Sequence, residues 1–238
     1  MNSKHNYQCL SGSVLKLLAV ITMIIDHIAS ALLRDNETVV VSLASHDLTL
    51  YYLLRSIGRI AFPLYAFLLV EGFEHTSDRK KYGLRLLLFA FISEIPWNLE
   101  HWGSIFHPTS QNVFFTLFFG FLGLCIMEQL EEKIEKRNVL LLLGLVLLCI
   151  FSLADYGCSG FGFILMLWLL RKLPIQRAIV GSCFLSSTWR AGIAFIPISF
   201  YNGKRGFIKG AFPKYFFYAI YPLHMLILFA IKKSMGGY

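Results

Sequence analysis

The sequence predicts an all-α fold, a polytopic transmembrane bundle of about eight spanning helices. Three observations predict it. Apolar residues make up 56% of the 238 and charged residues only 15%, against about 25% charged in soluble domains. Apolar runs recur along the whole chain at the length of about 17–25 residues that a helix needs to cross hydrocarbon. The Lys and Arg residues gather in short segments between those runs, as membrane topology requires. The net charge of +8 is therefore a topology signal. No extended basic face points to nucleic acid.

The first run, 14–33, holds Asp26 and His27 and has no small-residue cleavage site after it. It predicts a retained helix and no cleaved signal peptide. Further spans fall at 50–73, 83–99, 112–132, 138–154, 158–173, 178–200 and 215–233. The fifth and sixth are short and separated by Ala154-Asp155-Tyr156-Gly157, which suits a tight hairpin. The stretch from Val39 to Leu50 has room for a short helix. Cation bias between loops predicts that both termini are cytoplasmic. One segment disagrees: Lys204, Arg205, Lys209 and Lys214 fall on the nominal outside. Either the seventh span is re-entrant or those cations serve a ligand. No repeat or linker interrupts the chain, so 1–238 reads as a single domain. Cys9, Cys125, Cys149, Cys158 and Cys183 lack metal or CxxC spacing. They read as small hydrophobes, with no metal site and no disulfide framework.

An ionisable side chain at mid-membrane costs at least about 2.5–3.5 kcal/mol, so such groups mark cavities and pathways. Asp26, His27, Arg55, Arg59, Glu94, Arg190 and His224 fall inside predicted spans. Singly, each has a plain structural reading: His27 or His224 as glue between helices, Arg55 snorkelling to an interface, Glu94 at the interface beside Trp97. Together they predict a polar site within the bundle. Lys16 and His27 share one helix face, about 16 Å apart. Arg55 and Arg59 share a face as an i, i+4 pair. Asp26 and His27 point about 100° apart, so His27 needs a partner from another helix, with Glu94 or Asp155 as candidates.

A buried histidine suits general-base work near neutral pH, and paired arginines hold phosphates through forked hydrogen bonds. This combination fits a phosphate-bearing acyl donor such as acetyl-CoA. His27 would take the proton of an acceptor hydroxyl or amine, which attacks the thioester. Asn98, Asn112 and Tyr221 are candidate donors to the oxyanion, and His224 and Arg205 candidate substrate contacts.

Several blocks match a known pattern. They are Leu15-Lys16 with Thr22-Met23-Ile24-Ile25-Asp26-His27-Ile28, and Arg55-Ser56-Ile57-Gly58-Arg59 through Phe67 to Val70-Glu71-Gly72-Phe73 and His75-Thr76. Ile92-Ser93-Glu94-Ile95-Pro96-Trp97, Gln111-Asn112-Val113-Phe114-Phe115-Thr116 and Asp155-Tyr156-Gly157 follow, then Tyr201-Asn202-Gly203-Lys204-Arg205-Gly206 and Tyr221-Pro222-Leu223-His224. In this order they resemble the TraX family, named for a conjugative-plasmid protein implicated in N-terminal acetylation of pilin. More distantly they resemble the acyltransferase-3 membrane enzymes, where a basic residue precedes a first-helix His as Lys16 precedes His27. Arg55 and Arg59 resemble that group's paired arginines at wider spacing.

The resemblance implies an acetyl-CoA-dependent membrane transferase. In that reading His27 is the base, Asp26 supports it, and Glu94 orients or partners it. Lys16, Arg55 and Arg59 hold donor phosphates or balance charge. The acceptor is a cell-surface glycan, a small molecule or a peptide amine such as a pilin N-terminus. The rival classes are a small transporter, for which a homo-oligomer would supply the missing repeat symmetry, and a non-catalytic assembly factor of conjugation or surface structures.

Overall fold

The computed structural model describes residues 8–34, 38–43, 46–151, 153–184 and 186–236. They fall into two compact units, Met1–Tyr65 with Ala178–Tyr238, and Ala66–Arg177. In chain order the elements are α1 (Gly12–Leu32), β1 (Val39–Leu43), β2 (His46–Thr49), α2 (Leu50–Gly58) and α3 (Ala61–His75). Then come α4 (Arg79–Trp102), α5 (Val113–Glu132), α6 (Lys136–Phe151), α7 (Gly157–Leu169) and α8 (Pro174–Phe184). A 3₁₀ helix (Ser186–Ala194), α9 (Phe195–Ser199) and α10 (Ala211–Ser234) complete the chain.

The fold is mainly helical, as the composition requires, but the expected count of about eight spans needs correction. Among the described residues four helices are long and apolar enough to cross a membrane: α1, Leu50–His75 taken through α2 and α3, α5, and Tyr215–Ser234 of α10. In α4 the apolar residues are diluted by Arg79, Lys80, Lys81, Arg85, Glu94, Asn98 and Glu100. α6 and α7 have 16 and 13 residues, short of the roughly 20 that a span takes. The span expected at 178–200 breaks into α8, the 3₁₀ helix and α9. Ser186-Ser187-Thr188 and Gly192 are weak helix formers that compete with the helical backbone or loosen it. The helix allowed for between Val39 and Leu50 is instead an antiparallel hairpin, favoured by the β-branched run Val39-Val40-Val41.

The first unit is organised around α1. Ser11 makes no side-chain cap to it. Instead the carbonyls of Lys204 and Arg205 accept from the N–H groups of Gly12 and Ser13 at 2.8 and 2.9 Å. The Ser13 hydroxyl donates to Arg205 O at 2.8 Å and accepts from Ile208 N–H at 2.8 Å. Leu10 N–H donates to Phe200 O, and Asn202 N–H to Leu10 O, both at 2.9 Å. A distant loop thus satisfies donors that a helix start leaves unpaired. Gly206, at φ +87°, has no room for a side chain, since a Cβ would lie 2.3 Å from Ser11 Oγ.

That docking decides the discordant cations. The segment carrying Lys204 and Arg205 lies at the N-terminal end of α1. α10 runs beside α1 in the same direction, with Lys16 over the Phe217 ring at 5.4 Å and His27 against His224 at 2.6 Å. Two parallel crossings put their starts on one side and their ends on the other. Leu10 and Ser234 accordingly lie at opposite ends of this helix pair, whereas the expectation of two cytoplasmic termini would put both on one side.

In the second unit α5 and α7 pack closely. A Cβ on Gly120 would fall 2.3 Å from Ile164 Cδ1, and one on Gly123 2.8 Å from the Phe161 ring. Small residues of this kind let membrane helices approach. Leu145 and Cys149 of α6 bury against Phe161. At one end Arg171 bridges Glu131, at 2.7 and 2.8 Å, and Glu74, at 3.1 Å, while Arg79 grips Glu128. Asp78 caps α4 by accepting from Lys81 N–H at 2.9 Å, and that N–H holds its carboxyl below the usual range.

Sidedness is directly measurable. In a chain whose other cysteines are replaced, Cys9 and a cysteine at Lys204 should react with an impermeant maleimide from the same face of membrane vesicles. A cysteine at Ser234 should react only from the opposite face. Labelling of all three from one face would refute the parallel arrangement of α1 and α10.

Candidate functional site

Asp26 and His27 are adjacent on an apolar helix, so they address different neighbours. Asp26 turns to α2. Its Oδ2 accepts from Arg55 Nη1 at 2.5 Å, with the two side chains only 15% and 21% exposed. Arg59, the C-cap of α2, is close enough to act on the same carboxylate. Gly58 makes the approach possible, because a Cβ there would lie 2.1 Å from Asp26 Oδ1. Asp26 Oδ1 has no hydrogen-bond partner among the described residues. Asp26 is thus ion-paired with α2 and turned away from His27. Gly58 is a site residue that charge-based reading missed; its signal was a glycine set between two arginines of one short helix.

His27 turns to α10. Its Nδ1 lies 2.6 Å from Nε2 of His224. The ring planes are within 8° of parallel with centroids 4.9 Å apart, no more than the N···N distance plus the two ring radii. The rings are thus edge to edge in nearly one plane, as a linear hydrogen bond requires. On its far side His224 Nδ1 lies 2.8 Å from Ile220 O. Tyr221, one turn before His224, stands edge-on to both imidazoles at 5.9 and 5.6 Å. Tyr221 and His224 are buried. The need for a partner from another helix is met by His224, which was not among the candidates expected.

Lys16 reaches the Phe217 ring from the same helix as His27. Arg205 serves through its carbonyl in docking α1, and its residue is exposed. Arg190 lies half-buried in the 3₁₀ helix.

In the second unit Glu94 gathers the two asparagines. Its Oε2 accepts from Asn112 Nδ2 at 2.6 Å and its Oε1 from Asn98 Nδ2 at 3.4 Å. Asn112 Nδ2 also donates to Ala90 O at 2.8 Å, and Asn98 Nδ2 to Ile105 O at 3.3 Å. An amide has two N–H donors, so both asparagines are fully committed. Asn112 Oδ1 further caps α5 by accepting from Phe114 N–H at 3.0 Å. These contacts make Asn98 and Asn112 structural and leave neither an N–H for an oxyanion.

Removing one partner of a mostly buried ion pair strands the other charge, at about 3–5 kcal/mol. Arg55→Gln and Asp26→Asn should each lower the unfolding midpoint of the detergent-solubilised protein markedly. The double variant should lose less than the sum of the two. Strict additivity in that cycle would show that the pair is not coupled.

The comparisons agree with this chain-long pattern. The TraX protein family matches residues 11–232, from the start of α1 to the last turns of α10. The chain is also similar to the probable fimbrial assembly protein FimC, serogroup H1, of Dichelobacter nodosus. The two are 29% identical over 254 residues, covering 94% of this chain and 97% of the relative. No solved structure matches. With nearly every element inside the matched range, the chain belongs to the TraX protein family.

Proposed function

We propose that this protein is a membrane acyltransferase that moves acetyl from acetyl-CoA to an amine or hydroxyl during the assembly of fimbria-like surface fibres. The observation that carries the reading is the in-plane pairing of His27 with His224, next to a carboxylate already neutralised by Arg55. An imidazole held in a fixed plane by a second imidazole is prepared to take and return a proton. His27 removes the acceptor's proton as the acceptor attacks the thioester carbonyl. The tetrahedral adduct then expels the coenzyme A thiolate, which takes the same proton back from His27. Tyr221, edge-on to both rings, is the remaining oxyanion donor among those considered. Arg59 and Lys16 supply positive charge for the donor's phosphates, since Arg55 is engaged with Asp26.

The acceptor is a peptide amine in preference to a glycan or small-molecule hydroxyl, because the FimC relative is described as a fimbrial assembly protein. The chain acts in the bacterial cytoplasmic membrane, with the start of α1 and the cationic loop docked on it facing the cytoplasm together, the side that clustered cations favour. The same relative's name favours one other reading, a non-catalytic assembly factor, and donor chemistry separates the two.

Purified protein in nanodiscs, given labelled acetyl-CoA and a peptide with a free N-terminal amine, should show saturable acetyl transfer. His27→Ala should cut turnover by about 10²–10⁴-fold while donor binding persists. Arg59→Ala should raise KM for acetyl-CoA. Absence of acetyl-CoA binding in several lipid compositions would overturn the acyltransferase reading in favour of an assembly role.

A further inference from the structure

We propose that His224 is the positioning residue of His27, fixing its tautomer so that Nε2 is the reacting nitrogen and sharing the charge when that nitrogen is protonated. The inference rests on the acyltransferase reading for its chemistry, but its geometry stands alone. Ile220 O can only accept, so His224 Nδ1, 2.8 Å away, carries a hydrogen. A neutral imidazole has one N–H, which leaves a lone pair on His224 Nε2. That atom lies 2.6 Å from His27 Nδ1. Two lone pairs cannot face each other at this distance, so His27 Nδ1 carries the hydrogen between the rings. The same one-hydrogen rule then puts the lone pair of neutral His27 on Nε2. The tautomer of His27 is thus dictated two groups away, by the Ile220 carbonyl of α10.

The arrangement also provides for the charged state. When His27 Nε2 takes the acceptor's proton, the pair holds one positive charge and gains no other atom. The hydrogen on His27 Nδ1 either stays or crosses to His224 Nε2, whose ring keeps its own Nδ1–H on Ile220 O. The charge is spread over two rings instead of one, in surroundings where a localised cation is costly. The proton returns from His27 Nε2 to the departing thiolate, and the pair is neutral again. Tyr221 keeps both rings in register by standing edge-on to each.

The test reads the tautomer directly. In protein labelled with ¹⁵N at histidine, ring-nitrogen spectra of His27, one of seven histidines, are recorded for wild type, His224→Gln and His224→Ala. Wild type should show His27 with its hydrogen on Nδ1. The glutamine carbonyl can still accept that hydrogen, so His224→Gln should keep it there. His224→Ala should move it towards Nε2. In transfer assays His224→Ala should lower kcat at least about tenfold with KM for acetyl-CoA unchanged, and His224→Gln should recover much of the loss.

A wild-type His27 protonated on Nε2, or a tautomer unmoved in His224→Ala, would overturn the proposal. So would a glutamine variant with the same tautomer change and the same lost kcat as alanine. The spectra need no substrate. An Nδ1–H tautomer without acetyl transfer would therefore sink the acyltransferase reading and uphold the pair, and transfer with an Nε2–H tautomer would do the reverse.

Discussion

A carboxylate and an imidazole at consecutive positions of an apolar helix place a strong demand on their surroundings. Each is costly to bury without a partner, and at about 100° of separation no single neighbouring helix can serve both. Two helices must therefore close on α1 at the same height. α2 does so through Arg55, with Gly58 thinned to admit the Asp26 carboxylate. α10 does so through His224. The packing of the first unit follows from these two contacts more than from any single apolar cluster.

The height at which α10 meets α1 is set elsewhere. The loop that caps the start of α1 with the carbonyls of Lys204 and Arg205 leads directly into α10, so α10 must begin at the same end. From Gly12 to His27 is about 22 Å of helix and from Ala211 to His224 about 20 Å. Two helices started together and run in parallel thus bring the histidines level. Peptide groups at one end of the unit thus set the height of the histidine pair deeper in it. The cations of that loop, which seemed to contradict the topology signal, mark the end where both helices start.

Much of this was legible in the sequence, for a physical reason that also defines the limit. Long apolar runs report helices that meet lipid, so α1, α2 with α3, α5 and α10 were found close to their observed bounds. A run does not say whether it stays helical. Residues 178–200 are mostly apolar, yet the stretch holding Ser186-Ser187-Thr188 and Gly192 divides them. Val39-Val40-Val41 is too short to distinguish a helix turn from a strand. Buried charge identified Asp26, His27, Arg55 and His224 individually, because the cost of burial belongs to each residue. Pairing does not belong to a residue. It depends on the rotation of one helix against another, which periodicity along a single helix cannot supply, so Glu94 and Asp155 stood as partners where His224 serves. Gly58 was invisible for the opposite reason, since its contribution is the atom it lacks.

The division of labour between the two neighbours has a chemical consequence. A carboxylate bonded to His27 would hold the imidazolium form and make the proton harder to return in a medium of low dielectric. Here the carboxylate is bonded to Arg55, and the imidazole meets a second imidazole. In the proposed mechanism orientation is thereby separated from permanent charge, and His27 takes a proton without being committed to keeping it. Of the three charges gathered at α1 and α2, Asp26 and Arg55 cancel and Arg59 remains in excess. In the proposed reading that cation is left for a polyanionic donor, because Asp26 and His27, being neighbours in sequence, turn to different helices.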